Sequence, residues 1–240
     1  MKQRYLYLGI GTLVLAAALA VPVFGQPRGP AQGPAWGPGW MQGGGMHGGW
    51  PGSAAAARPV ATIQEAAARA REVLAGYGGD LVVAEVMEFS NHFYVLVKER
   101  STGRGAMELI VERNGVVHPE PGPNMMWNTK YGHMSAGFGY GMMGGGMMGG
   151  GWYGQGPATP QGQPITLERA RQLAAQYLAQ TFPGVVPEHG TAFYGYFTFD
   201  VARGGKPVGM LSVNAYTGQV WYHAWHGAFI AEQEFEEGSK

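Results

Sequence analysis

Apolar residues between Thr62 and Leu74 recur every three to four positions. Ile63, Ala66, Ala67, Ala70, Val73 and Leu74 share one face, which predicts an amphipathic helix. The same period returns about a hundred positions on, where Leu167, Ala170, Ala174, Tyr177 and Leu178 mark a second helical face. After each helix the period changes to two. Phe93, Val95 and Val97 alternate with their neighbours, and so do Phe197, Phe199 and Val201, which predicts strands with one buried face. Further apolar runs follow at Met107–Val111 and Met210–Val213, then short closing strands at Val116–His118 and Gln219–His223.

Turn and cap residues fall where this pattern needs them. Thr62 and Glu65 form a capping box, worth about 1 kcal/mol at the helix start. Thr166 caps the second helix, but Arg169 stands where the reciprocal carboxylate would be. Gly76 and Gly78–Gly79 end the first helix and Pro183-Gly184 the second. Thr102-Gly103 and Gly204-Gly205 predict turns between strands, as do Asn114-Gly115 and Thr217-Gly218.

The two blocks therefore match element for element. The expected fold class is α+β: two repeated units, each one helix packed on a small antiparallel sheet of three or four strands. The units cover residues 58–120 and 165–230. At roughly 60 residues each is marginal alone, so the two pack together or each dimerises.

The remaining segments differ in texture. Lys2 and Arg4 precede an apolar run from Tyr5 to Ala20 and then Pro22, the pattern of an export signal over residues 1–25. Cleavage falls after Gly25 or after Ala20; if the segment is retained, it serves as a membrane anchor. Export places the protein in the periplasm or outside the cell. Residues 26–57 are rich in Gly and Pro, and residues 121–164 in Met and Gly. Neither composition buries enough apolar surface to offset ordering entropy, so the second reads as a linker between the units. Residues 231–240 carry Glu232, Glu234, Glu236 and Glu237 and read as an exposed acidic tail.

The stretch Leu211-Ser-Val-Asn-Ala-Tyr-Thr-Gly-Gln-Val ends a helix-and-meander unit. Leu109-Ile-Val-Glu-Arg-Asn-Gly-Val-Val is a less clean copy. Both resemble the PepSY domain. That resemblance implies a binding or inhibitory module of exported bacterial proteins, found also in the propeptides of secreted thermolysin-like peptidases.

Composition narrows the chemistry. Lys and Arg number 16 and so do Asp and Glu, which gives no reason to expect a nucleic acid or an acidic membrane as partner. The chain has no Cys, so disulfides, thiolate catalysis and zinc–thiolate sites are excluded. No nucleophile elbow, phosphate loop, HExxH or dinucleotide fingerprint occurs, and the expected function is non-enzymatic binding.

Two clusters are candidates for that binding. Met125, Met126, His133, Met134, Met142, Met143, Met147 and Met148 offer soft ligands that suit Cu(I), and Met41, Met46 and His47 repeat the texture. Ordering each residue costs about 1–2 kcal/mol, which favours loose capture over a tight site. The bland alternative is a linker whose methionines serve as adaptable apolar contacts. The second cluster is Trp221, Tyr222, His223, Trp225 and His226, an aromatic edge suited to an envelope protein as partner. His223 and His226 chelate an ion only if the strand ends near Trp225 and turns. His92, His118 and His189 are isolated in sequence and read as surface or strand residues, and Glu108 and Glu112 as a solvated face.

Overall fold

The computed structural model describes residues 58–132 and 162–235. The proposed signal segment, the first Gly/Pro tract and most of the Met/Gly segment lie outside the described residues. Among the described residues no helix is long and apolar enough to cross a membrane.

Helix α1 (Ile63–Leu74) starts at the capping box read from the sequence: Thr62 Oγ1 accepts from Glu65 N at 3.2 Å and Glu65 Oε2 accepts from Thr62 N at 3.1 Å. Its buried residues are the six picked out by the period. Strands β1 (Leu81–Phe89), β2 (His92–Glu99), β3 (Gly105–Glu112) and β4 (Val117–Pro119) follow as an antiparallel meander. The chain then makes one short turn of helix, α2 (Pro123–Met126). Helix α3 (Leu167–Thr181) is capped by Thr166 and opens a second meander. Its strands are β5 (Val186–Ala192), β6 (Tyr196–Arg203), β7 (Lys206–Asn214) and β8 (Val220–Tyr222). The chain closes with β9 (Phe229–Glu234).

The fold class is α+β with two antiparallel sheets, ordered β4-β3-β2-β1-β9 and β5-β6-β7-β8. Each sheet has one face under a helix. The side chains of α1 pack with Phe93, Val95, Val97, Leu109 and Val111, and those of α3 with Phe197, Phe199, Val201, Leu211 and Val213. The opposite faces meet in a third core, where Met87, Phe89, Tyr94 and Leu96 pack on Phe193, Tyr196 and Met210. The layers thus run helix, sheet, sheet, helix. Alternation in the sequence marked the helix-covered faces and gave no sign that the other faces are buried too.

The structure differs from the sequence reading in three places. Leu81–Phe89 is a strand that the sequence reading did not mark, and Ser90 and Asn91 form the turn between it and β2. Leu167 is 36% exposed, because α3 meets its sheet mainly through Ala170, Ala174 and Leu178. The acidic segment is not a free tail as far as Glu234. It forms β9 and pairs antiparallel with β1, Glu85 opposite Glu234 and Met87 opposite Glu232, so a strand that follows the second sheet in sequence completes the first. Alternation along β9 leaves Ile230, Glu232 and Glu234 exposed.

Candidate metal centre

Glu120 stands where β4 has ended and the chain turns away from β3. Its backbone N donates to Glu108 O at 2.9 Å. Asn124 braces the turn, accepting from Glu108 N at 3.1 Å and donating to Glu108 O at 2.9 Å. Gly122 adopts φ 75°, and a side chain there would lie 3.1 Å from the Trp225 ring and 3.4 Å from that of Trp221. A bare backbone at that position lets Glu120 reach the seam beneath two indoles.

The opposing histidines come from the segment between β8 and β9. Strand β8 ends at Tyr222, and Ala224 and Trp225 form a turn. The strand therefore stops where the HxxH pair needs it to stop. Asn91 clamps the loop, donating from Nδ2 to Trp225 O at 2.9 Å and accepting from Gly227 N at 2.9 Å. The His226 ring stacks on Phe89 at 4.3 Å, and His223 stacks on Trp225 at 4.7 Å.

These pieces put three ligand-type atoms together. His223 Nδ1 lies 3.2 Å and His226 Nε2 3.0 Å from Glu120 Oε1. All three residues offer ligand atoms within 4.8 Å of one another. Their side chains are buried, at 0% exposure for Glu120 and His223 and 1% for His226. Only Trp225 Nε1, at 3.1 Å, meets Glu120 Oε1 with hydrogen-bond geometry. Glu120 Oε2, His223 Nδ1 and His226 Nε2 have no hydrogen-bond partner among the described residues. Buried polar atoms without partners are expensive, and each calls for an explanation.

The far nitrogens of both imidazoles are held. His226 Nδ1 lies 2.7 Å from His92 Nε2, and His223 Nε2 lies 3.0 Å from Ser212 Oγ. Ser212 Oγ is 2.8 Å from Thr198 Oγ1. Glu108 accepts from the hydroxyls of Tyr94 and Tyr196, each at 2.8 Å. The sequence reading of Glu108 as a solvated face is corrected here: it points into the seam and is 0% exposed.

Burial acts on Glu108, Glu120, His226 and His92. It pushes the Glu108 carboxyl well above its ordinary value, and the charge of Glu120 adds to that. Burial alone would raise Glu120 too, but His223 and His226 beside it draw its carboxyl well below the usual range and keep it ionised. His226 is lowered by burial against the opposing pull of Glu120, and His92 falls to about 3 through burial and the neighbouring His226. Rings lowered in this way are neutral and carry a free lone pair.

The other residues singled out from the sequence are dispersed. Met125 is half-buried and Met126 is 56% exposed on α2. His133, Met134, Met142, Met143, Met147 and Met148 lie outside the described residues. Trp221 and Tyr222 alternate in β8. Trp221 faces the seam side and meets Trp127 edge-on at 5.7 Å, whereas Tyr222 packs against Phe182 at 4.7 Å under α3. The aromatic edge is therefore divided between two faces. Sequence reasoning missed Glu120 and passed over His92; the HxxH spacing was the one local signal of the centre.

No family model matches this chain, and no curated protein matches it. Among solved structures it is similar to the Bacillus megaterium YpeB C-terminal domain, at 12% identity and a TM-score of 0.24, over 71% of this chain. The match spans 64% of that chain. A likeness so remote carries neither family nor function across.

Proposed function

We propose that this chain is a non-enzymatic metal-binding protein of the cell envelope, and that it holds its ion between Glu120, His223 and His226. The observation that supports this most is that His223 Nδ1 and His226 Nε2, both buried and without hydrogen-bond partners, face the carboxylate of Glu120, whose Oε2 is buried and without a partner too. Two ligands about 2.1 Å from a tetrahedral zinc-type ion are roughly 3.4 Å apart. The separations of 3.2 and 3.0 Å at Glu120 Oε1 come close to that with small adjustments. An ion beside the Glu120 carboxylate would give both histidine nitrogens a partner. In this proposal the chain is exported, and its two helix-and-sheet halves are PepSY-like repeats whose seam has become the binding centre.

Elemental analysis of the purified protein, followed by titration with Zn2+ and Co2+ against a competing chelator, tests the proposal. The expected result is one ion per chain, lost in Glu120→Gln/His223→Gln/His226→Gln. Equal uptake by the wild type and this triple variant would overturn it.

Soft-ion capture by the methionine segment has one observation in its favour: Met126 holds its thioether at the surface just beyond Glu120. Cu(I) titration of a variant with leucine at Met125, Met126, Met134, Met142, Met143, Met147 and Met148 tests it. Unchanged Cu(I) uptake would reject it.

A further inference from the structure

Resting on the metal-binding reading above, we infer that the Glu120–His223–His226 centre selects a borderline divalent cation of the zinc and cobalt class, and that Ser212 and His92 are the positioning residues that aim its two imidazoles.

The ligand set carries the first half. Two imidazole nitrogens and a carboxylate form a borderline-to-hard set without sulfur, which suits divalent first-row ions; thioether-rich sets suit monovalent copper. Trp225 Nε1 is a donor only, so it orients Glu120 and leaves the ion to the other two nitrogens.

Contacts on the far nitrogens carry the second half. Ser212 Oγ lies 2.8 Å from Thr198 Oγ1 and 3.0 Å from His223 Nε2. A proton on Nε2 donates to Ser212 and leaves His223 Nδ1 with a lone pair, 3.2 Å from Glu120 Oε1. On the other arm, His226 Nδ1 lies 2.7 Å from His92 Nε2, and a proton on Nδ1 donated there leaves the lone pair on Nε2. In these tautomers both rings present a bare nitrogen to the Glu120 carboxylate, each held by a hydrogen bond on its far side. Ligating histidines are ordinarily fixed by such a contact on the other nitrogen, and its loss weakens metal affinity 10- to 100-fold.

The test uses the full exported chain. Zn2+, Co2+ and Cu(I) are each titrated against a competing chelator into the wild type and into Ser212→Ala, Thr198→Val and His92→Phe. Thermal unfolding confirms that each variant folds. The expected result is stoichiometric Zn2+ and Co2+ binding that falls roughly 10- to 100-fold in Ser212→Ala and His92→Phe, with rescue in Ser212→Thr. Nitrogen NMR of the metal-free wild type should show His223 as the Nε2–H tautomer, and Ser212→Ala should lose that preference. A Co2+ absorption spectrum that shifts in Ser212→Ala would separate positioning from a purely structural role. Should any one of these variants fail to fold, the NMR tautomer and the other variants decide the question. Wild-type protein that binds none of the three ions rejects the metal-binding reading itself. Zn2+ binding with unchanged affinity and spectrum in the variants rejects the positioning assignment, and a Glu120-dependent preference for Cu(I) over Zn2+ rejects the selectivity.

Discussion

Trp225 and Glu120 lie 105 positions apart in the chain, yet the indole Nε1 donates to the Glu120 carboxylate at 3.1 Å. That bond ties the loop after β4 to the loop after β8, and it gives a buried charge one well-formed partner. Trp225→Phe keeps an aromatic ring beside His223 and Gly122 but removes the donor. It should lower stability by about 1–3 kcal/mol, read as a shift in the urea midpoint of the metal-free protein. A midpoint unchanged from wild type would show that the bond contributes nothing.

Acidity should act at the other end of the seam. Glu85 lies beside Tyr94, Leu96, Thr198 and Asp200. Burial pushes its carboxyl up to about 7, with Asp200, Glu232 and Glu234 adding to the rise and Lys98 opposing it. Asp200 is raised to about 6, by burial first and by Glu232 and Glu188, against His189. Both folded-state values lie above the ordinary values of 4.5 and 3.8, so folding is favoured while these groups are protonated. That contribution is complete below pH 3.8 and is lost as pH rises through about 7. Urea stability should therefore fall between pH 5 and 8 by roughly 1–3 kcal/mol, allowing for partial exposure. Glu85→Gln should flatten the profile, and a profile as steep as wild type would refute the assignment.

Gly195 has φ 98°, and a side chain there would meet Trp127 O at 2.2 Å and Thr129 Cγ2 at 3.1 Å. The close approach allows Thr129 N to donate to Tyr194 O at 2.9 Å, which fastens the chain after α2 to the second sheet. Gly204 has φ 58° with nothing within 4 Å, so it carries the conformational requirement without the crowding. Gly204→Ala should cost about 1 kcal/mol and Gly195→Ala at least about 2 kcal/mol. Melting temperatures compare the two directly, and equal losses would show that the contact with Trp127 is unimportant.

The parts of the fold governed by local period were legible in the sequence. The six buried residues of α1, its capping box and the turns at Gly103, Gly115 and Gly218 depend on neighbours within a few positions. The seam was not legible, because a residue such as Tyr94 alternates correctly for a half-exposed strand and is buried only when the second sheet arrives. Glu108 misled for the same reason. In the site, His223 and His226 announced themselves by spacing, whereas Glu120 sits in a proline-flanked turn that gives no hint of histidines a hundred positions away. His92 looked solitary because its partner is 134 positions distant.

Strand β9 bears on how the molecule is made. During synthesis the first meander emerges with the edge of β1 bare, and both α3 and its sheet must follow before Phe229–Glu234 can reach that edge. The same return brings His223 and His226 to Glu120, so strand completion and the centre both depend on the stretch after β8. The contacts involved span most of the described chain, and their closure is expected to be slow relative to the helices and hairpins. A nascent or truncated polypeptide that stops before His223 would hold Glu120 without Trp225, His223 or His226 beside it, and would be recognisable as unfinished by its open sheet edge.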